Sequence, residues 1–215
     1  MSVFLWVYNQ SKKADSVFLI TLFWFLYYRI RYKKRILIHS SASIRKGKNI
    51  EVKGLLSVGM ISVGFANRKD RTYLNVSGKL VIDGDFSIAR GCRFDIGTDA
   101  VVKLGNNSYI NSFSTLIAMN GLEIGKNCSI AWDCQFLDEG FHELNYEEKK
   151  SREKKEISIA DDVWIGSKVS IYMGTTIKRG SVIAANSVVK GCFDEENVLI
   201  AGNPAKVIKR NVSWE

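Results

Sequence analysis

One proline, two histidines and no C-x-x-C pair are found in a chain of 215 residues. Two histidines are too few for the three-histidine zinc site of a metal-dependent hydratase, and the cysteines do not make up the deficit, so no metal is expected. Cys92, Cys128, Cys134 and Cys192 show no paired spacing. A secreted disulfide scaffold is therefore not expected, and a reducing, cytoplasmic compartment is. The aromatic stretch SVFLITLFWFLYY (16–28) falls short of the ~20 residues that cross a bilayer. It also lacks the small-residue cleavage site of a secretory signal. Acid is scarce at the same end: residues 1–35 carry seven Lys/Arg against Asp15 alone, which is +6 of the formal +9. Basicity confined to one end is no footprint for nucleic acid, and none is expected as a partner.

What remains is an ordinary composition, 46% hydrophobic and 25% charged, with enough chain for one domain and a core. Residues 1–35 form an aromatic, basic segment expected to be helical. An apolar stretch that runs directly into RIRYKKR (29–35) suits an anionic membrane surface, where aromatics sit at headgroup level and cations face lipid phosphate. A helix that packs its aromatics against the rest of the protein fits the same residues.

The strongest pattern is a period of six. Ile159, Ile165, Ile171, Ile177, Ile183 and Val189 follow one another at that interval, and the position four residues after each of the first five is small or β-branched: Val163, Val169, Thr175, Ser181 and Ser187. Upstream, Ile82, Ile88 and Phe94 repeat the pattern, then Leu104, Ile110 and Leu116, then Ile124, Ile130 and Phe136. A helix would point residues six apart about 240° away from each other. A short strand with a turn every sixth residue keeps them aligned. Three such strands close a triangular coil of eighteen residues, and stacked coils pair their backbones at about 4.8 Å. The large residue then fills the interior and the small one fits the corner, which accounts for Cys92, Cys128 and Cys134 without chemistry. Breaks in the period become corner loops. The longest, 138–156, includes NYEEKKSREKKE, with five basic and four acidic residues, a solvated excursion of the kind on which a solenoid carries its function. The expected organisation is the N-terminal segment 1–35, an all-β parallel solenoid over 36–203, and a tail at 204–215.

Three segments carry a resemblance. CSIAWDCQFLDEGFHEL (128–144), ADDVWIGSKVSIYMG (160–174) and VLIAGNPAKVIKR (198–210) are similar to the hexapeptide-repeat acyltransferases, in particular to sugar and polysaccharide O-acetyltransferases. The likeness spans residues 80–210, and the lone Pro204 falls in its last segment. It implies a left-handed parallel β-helix, acetyl-CoA as acyl donor, a sugar acceptor and a homotrimer with shared active sites. The first segment departs from the family at Gly140, where related loops commonly carry Asp two residues before the histidine.

The chemistry follows from residue types. Moving an acetyl group from a thioester to a hydroxyl requires a base and a cradle for the developing oxyanion. Histidine suits the first task near neutral pH. His39 reads as structural, so His142 is the candidate base, with Asp138 or Glu143 to orient it. The resemblance assigns the Ser167 amide to the thioester carbonyl and Ala185, eighteen residues on, to the pantetheine arm. Gly166, Ala184 and Ala185 let the donor lie close, and Trp164 walls the acceptor pocket. Lys190, Lys206 and Lys209 are candidates to meet the donor's phosphates. The expectation is an acetyl-CoA-dependent O-acetyltransferase for a cell-surface polysaccharide or its precursor, at the inner face of a bacterial membrane. A non-catalytic solenoid scaffold and an N-acetyltransferase on an amino sugar are the alternatives.

Overall fold

The six-residue period becomes three flat faces. In the computed structural model, which describes residues 2–142 and 155–215, parallel strands stack into a triangular prism. The first face runs from Arg35–Ile38 to Leu199–Gly202 and ends with Ala205–Lys209, which pairs antiparallel to its neighbour. The second face runs from Ser43–Arg45 to Val188–Val189, and the third from Ile50–Val52 to Cys192–Phe193. The chain visits the faces in that order, so each coil is stacked one strand step above the last.

Register shows why the period holds. On the first face Ile38, Val58, Ile88, Ile110, Ile130, Ile165, Ile183 and Ile200 are successive partners, every one buried. Leu74, Phe94, Leu116, Phe136, Ile171 and Val189 form the matching column on the second face, and Ile82, Leu104, Ile124, Ile159 and Ile177 on the third. Each column buries a β-branched, leucine or phenylalanine side chain per coil, the principal stabilising term of the fold. The period does not register before Ile82, although coils begin at Arg35. There the corners are lengthened, notably between Val58 and Tyr73, which breaks the interval while leaving the inward residues aligned.

The small corner positions are buried too, and they satisfy the backbone. Ser108 Oγ accepts from Cys128 N–H and donates to the Gly125 carbonyl, both at 2.8 Å. The Cys128 and Cys134 thiols lie 3.2 Å from the carbonyls of Ala160 and Gly166. Burial pushes Cys92 up to about 12 and Cys128 and Cys134 up to about 11, so these thiols are corner donors and not nucleophiles.

Two helices, α1 (Val3–Lys13) and α2 (Phe18–Tyr32), precede the first strand. Tyr28 joins the interior core, so α2 closes the open end of the coil stack; its buried phenol is pushed up to about 12. Val7 and Phe25 pack on Leu37, which points outward from the first face. Only part of the aromatic surface is covered. Leu19, Phe23 and Ile30 on α2 are 71%, 61% and 78% exposed, at helical spacing on one stripe. Among the described residues no helix is long and apolar enough to cross a membrane.

Candidate active site

His142 emerges where the second face turns to the third. The strand Gln135–Leu137 ends there, and Asp138 to Phe141 carry the chain outward, with Phe141 in the left-handed region (φ 59). His142 and Phe141 are exposed. The base of this excursion is pinned. Asp138 is fully buried, and its carboxylate accepts from the amides of Met119 (2.6 Å), Asn120 (2.9 Å) and Gly121 (2.7 Å), the corner one coil below. That geometry differs from the expectation that Asp138 orients the imidazole: three backbone donors hold its two oxygens, so its work is to fix the loop's root. Glu143 lies outside the described residues. Glu139, which the sequence did not single out, ties the two ends of the excursion together by accepting from Lys155 Nζ at 2.7 Å. That bond, helped by Asn120 and the Gly140 amide, pulls its carboxyl down to about 2.

The other candidate residues lie at a different edge, where the first face turns to the second. Gly166 is buried, and a Cβ there would stand 2.7 Å from Ala185 N and 2.9 Å from the Ile183 carbonyl. Its glycine is required by close approach between coils, not by backbone conformation. The corner amides alternate in their use. Gly166 N–H donates to Ile183 (2.8 Å), Lys168 N–H to Trp132 (3.1 Å), Ala184 N–H to Ile200 (2.9 Å) and Asn186 N–H to Ser167 (3.0 Å). Among the described residues no acceptor is paired with the amides of Ser167 and Ala185. Each lies two residues past the paired Ile165 and Ile183, so the two hold matching positions in adjacent coils and a pair of unused N–H donors sits about 4.8 Å apart along the edge. Lys168 (φ 58) and Asn186 (φ 61) take the left-handed conformation that completes each corner.

Trp164 projects from the first face, 43% exposed, and meets Trp214 with ring centroids 6.3 Å apart. Trp214 Nε1 donates to the Asp162 carbonyl at 2.8 Å, holding the chain's last residues on the prism. The expected phosphate lysines do not converge. Lys206 and Lys209 lie on the antiparallel strand of the first face, whereas Lys190 lies at the edge between the second and third. His39 is buried, with Nδ1 2.8 Å from Ser41 Oγ and Nε2 3.3 Å from the Asp15 carbonyl. Burial, with the Arg90 guanidinium nearby, lowers its pKa, in keeping with a structural role. Among the described residues no cluster of His, Cys, Asp or Glu could hold a metal ion.

No family model matches the chain, but its likeness to individual proteins is extensive. It is 39% identical to a Klebsiella pneumoniae protein named as an uncharacterized 24.8 kDa protein in the cps region, over 96% of this chain and 93% of that one. It is 28% identical to the putative lipopolysaccharide biosynthesis O-acetyl transferase WbbJ of Escherichia coli, over 64% of this chain and 75% of that one. Among solved structures, a hexapeptide-repeat containing acetyltransferase from Vibrio cholerae matches with a TM-score of 0.50 and 28% identity, over 59% of this chain and 70% of that one. With the coil register and the edge geometry, these likenesses place the chain in the hexapeptide-repeat acetyltransferase family, whose fold is the left-handed parallel β-helix.

Proposed function

We propose that this protein is an acetyl-CoA-dependent O-acetyltransferase whose acceptor is a sugar hydroxyl of a cell-surface polysaccharide or its lipid-linked precursor. The observation that carries this reading is the pair of unpartnered amides at Ser167 and Ala185, one coil apart, beside a glycine that only a bare backbone can fill. Such rigid donors are what a thioester carbonyl and an amide-bearing pantetheine arm require. Bound acetyl-CoA would supply an activated acetyl group at this edge. His142 takes the proton from the acceptor hydroxyl as its oxygen attacks the thioester carbon. The Ser167 N–H stabilises the negative charge that develops on the carbonyl oxygen. Collapse breaks the carbon–sulfur bond, and His142 returns its proton to the departing sulfur, which leaves as the thiol of coenzyme A.

Geometry favours an assembly. His142 leaves the prism at one edge and the two amides lie at another, with the second face between them. A neighbouring copy that presents its His142 loop to this edge completes the site, and a closed cyclic trimer supplies three equivalent sites. The stripe of Leu19, Phe23 and Ile30, with Arg29, Arg31, Lys33 and Arg35 at the same end, suits peripheral attachment to the inner face of an anionic membrane, each cation adding about 1 kcal/mol. On this reading the enzyme works in the cytoplasm, beside lipid-linked precursors.

Four measurements test the reading. Acetyl-CoA at 100-fold its Kd should stabilise the protein by about 2.7 kcal/mol. His142→Ala should keep that stabilisation while transfer falls by about 10²–10⁴. A scaffold with no catalytic role would show neither effect. Light scattering should give three copies, and sedimentation with phosphatidylglycerol vesicles, reduced by Leu19→Ser with Phe23→Ser, tests the membrane surface; a monomer or unchanged sedimentation refutes the corresponding part.

A further inference from the structure

The edge that carries the Ser167 and Ala185 amides continues downward into an aromatic surface that the proposed mechanism leaves unused. Ile130 pairs with Ile165, so Trp132 holds Ser167's position one coil below. Ile110 pairs with Ile130, so Ser112 and Phe113 hold that corner one coil lower again. Trp132 is 38% exposed and Phe65 is 65% exposed. The Phe65 ring stacks on Phe113 at 5.8 Å (15° between planes) and meets Trp132 edge-on at 6.1 Å. Three rings from three separate corners thus form one open surface directly beneath the donor amides.

The chain is built to hold it. Phe113 stands at φ 65, a region in which a bulky side chain is rare. Below it Gly91 must be glycine, since a Cβ there would come within 2.5 Å of the Phe113 ring. Phe65 comes from the long corner between Val58 and Tyr73, which climbs the edge instead of looping into solvent. Its Ile61 carbonyl accepts from Arg90 N–H at 2.9 Å, its Val63 amide donates to Ser112 Oγ at 3.4 Å, and Phe65 then reaches the Trp132 coil.

We propose that Phe65, Phe113 and Trp132 form the acceptor platform, taking the apolar C–H face of a pyranose ring. The inference rests on the acetyltransferase reading and adds to it the place and chemistry of the acceptor. The donor occupies the Ser167 and Ala185 coils. A hydroxyl attacking the carbonyl held at Ser167 must therefore come from a ring within one coil, about 4.8 Å along the edge, and the coil below presents Trp132. Aromatic faces bury large area at small entropic cost and leave the ring's hydroxyls free for other contacts.

The test compares wild type with Phe65→Ala, Trp132→Ala and Trp132→Phe, using acetyl-CoA and a panel of methyl pyranosides and sialic acid oligomers as acceptors. Phe65 is exposed on a corner loop, so its truncation leaves the core intact. The alanine variants should raise the acceptor KM roughly tenfold, with kcat and acetyl-CoA affinity near wild type. Trp132→Phe should recover most of the loss. Normal transfer with an unchanged acceptor KM in both alanine variants overturns the platform and leaves the acetyltransferase reading standing. Dissociation of the assembly in those variants also overturns it, since the rings would then be an interface between copies. Failure of the wild type to acetylate any member of the panel, without binding acetyl-CoA, overturns the enzyme reading and this inference with it.

Discussion

Replacing Gly166 with alanine isolates the contact on which the donor edge depends. Gly166 is not in the left-handed region, so the substitution carries no backbone penalty; restricting the unfolded chain would by itself stabilise by about 0.4–1 kcal/mol. The structure opposes this gain. The new methyl would lie 2.7 Å from Ala185 N, 2.9 Å from the Ile183 carbonyl and 3.1 Å from Ala185 Cα, all backbone atoms that cannot rotate away. Forcing a methyl into a packed site costs about 1–3 kcal/mol, and rigid backbone contacts this short put the cost in the upper part of that range, about 2–3 kcal/mol, which leaves a net loss of about 1–2.6 kcal/mol. For a chain of this size each kcal/mol moves Tm by about 2–4 °C, so calorimetry should record a fall of about 2–10 °C. The same methyl displaces the Ala185 amide, so acetyl-CoA should stabilise the variant less than wild type. A variant with unchanged or raised Tm and undiminished stabilisation by acetyl-CoA would refute the coil-to-coil geometry at this edge.

Asp138→Asn would turn an amide NH2 toward some of the N–H donors that the carboxylate now satisfies; stability should fall by about 1–3 kcal/mol and transfer with it, while acetyl-CoA still binds. Unchanged stability would disprove the anchoring role. Glu139, held down to about 2 by Lys155, has a folded pKa below its unfolded value. Its contribution is therefore present above about pH 4.3 and lost as pH falls toward 2. In a carbon-13 titration, Lys155→Met should return this carboxyl toward the ordinary range, and a titration unmoved by the change would dissociate the clamp from Lys155. Of the four thiols, Cys192 alone is exposed, so Ellman's reagent should label one per native chain at pH 8. Fast labelling of Cys92, Cys128 or Cys134 would contradict their burial.

How far the sequence could be read depends on how local the physics is. Ile159 to Val189 announces the prism because inward packing repeats at every strand, and a repeated constraint leaves a repeated residue. Ser167 and Ala185 were named by the family resemblance, and the eighteen-residue coil relates them, since each follows an inward isoleucine by two residues. The anchoring task of Asp138 was not legible, because a carboxylate near a histidine in sequence suggests a pair, whereas its three amide partners, Met119, Asn120 and Gly121, lie on another coil. Phe65 gave no signal: it lies in a stretch without period, and its partners Phe113 and Trp132 are 48 and 67 residues further on. Trp132 could have been found, since counting from Ile130 as one counts from Ile165 puts it in Ser167's place. Residues 16–28 looked equally fit for packing or for lipid because α2 has both a covered and an open face: Phe25 and Tyr28 turn inward while Leu19 and Phe23 turn out.

A solenoid separates its tasks along one axis, and the separation here has a length. From the first strand on the first face to Trp164–Ile165 there are five strand steps, or about 24 Å at 4.8 Å each. The helices close the lower end of that stack, the aromatic rings lie along its middle, and the free amides stand above them. On the proposed membrane attachment, and with the prism upright on it, a sugar joined directly to a lipid carrier would stay near the helices, short of the Ser167 coil. A longer saccharide could climb the edge by way of Phe65, Phe113 and Trp132. The corner between Val58 and Tyr73 bridges these levels, since it leaves the first face low in the stack and delivers Phe65 to Trp132. The inserted residues that hide the six-residue period are thus the ones that connect the capped end of the prism to its donor edge.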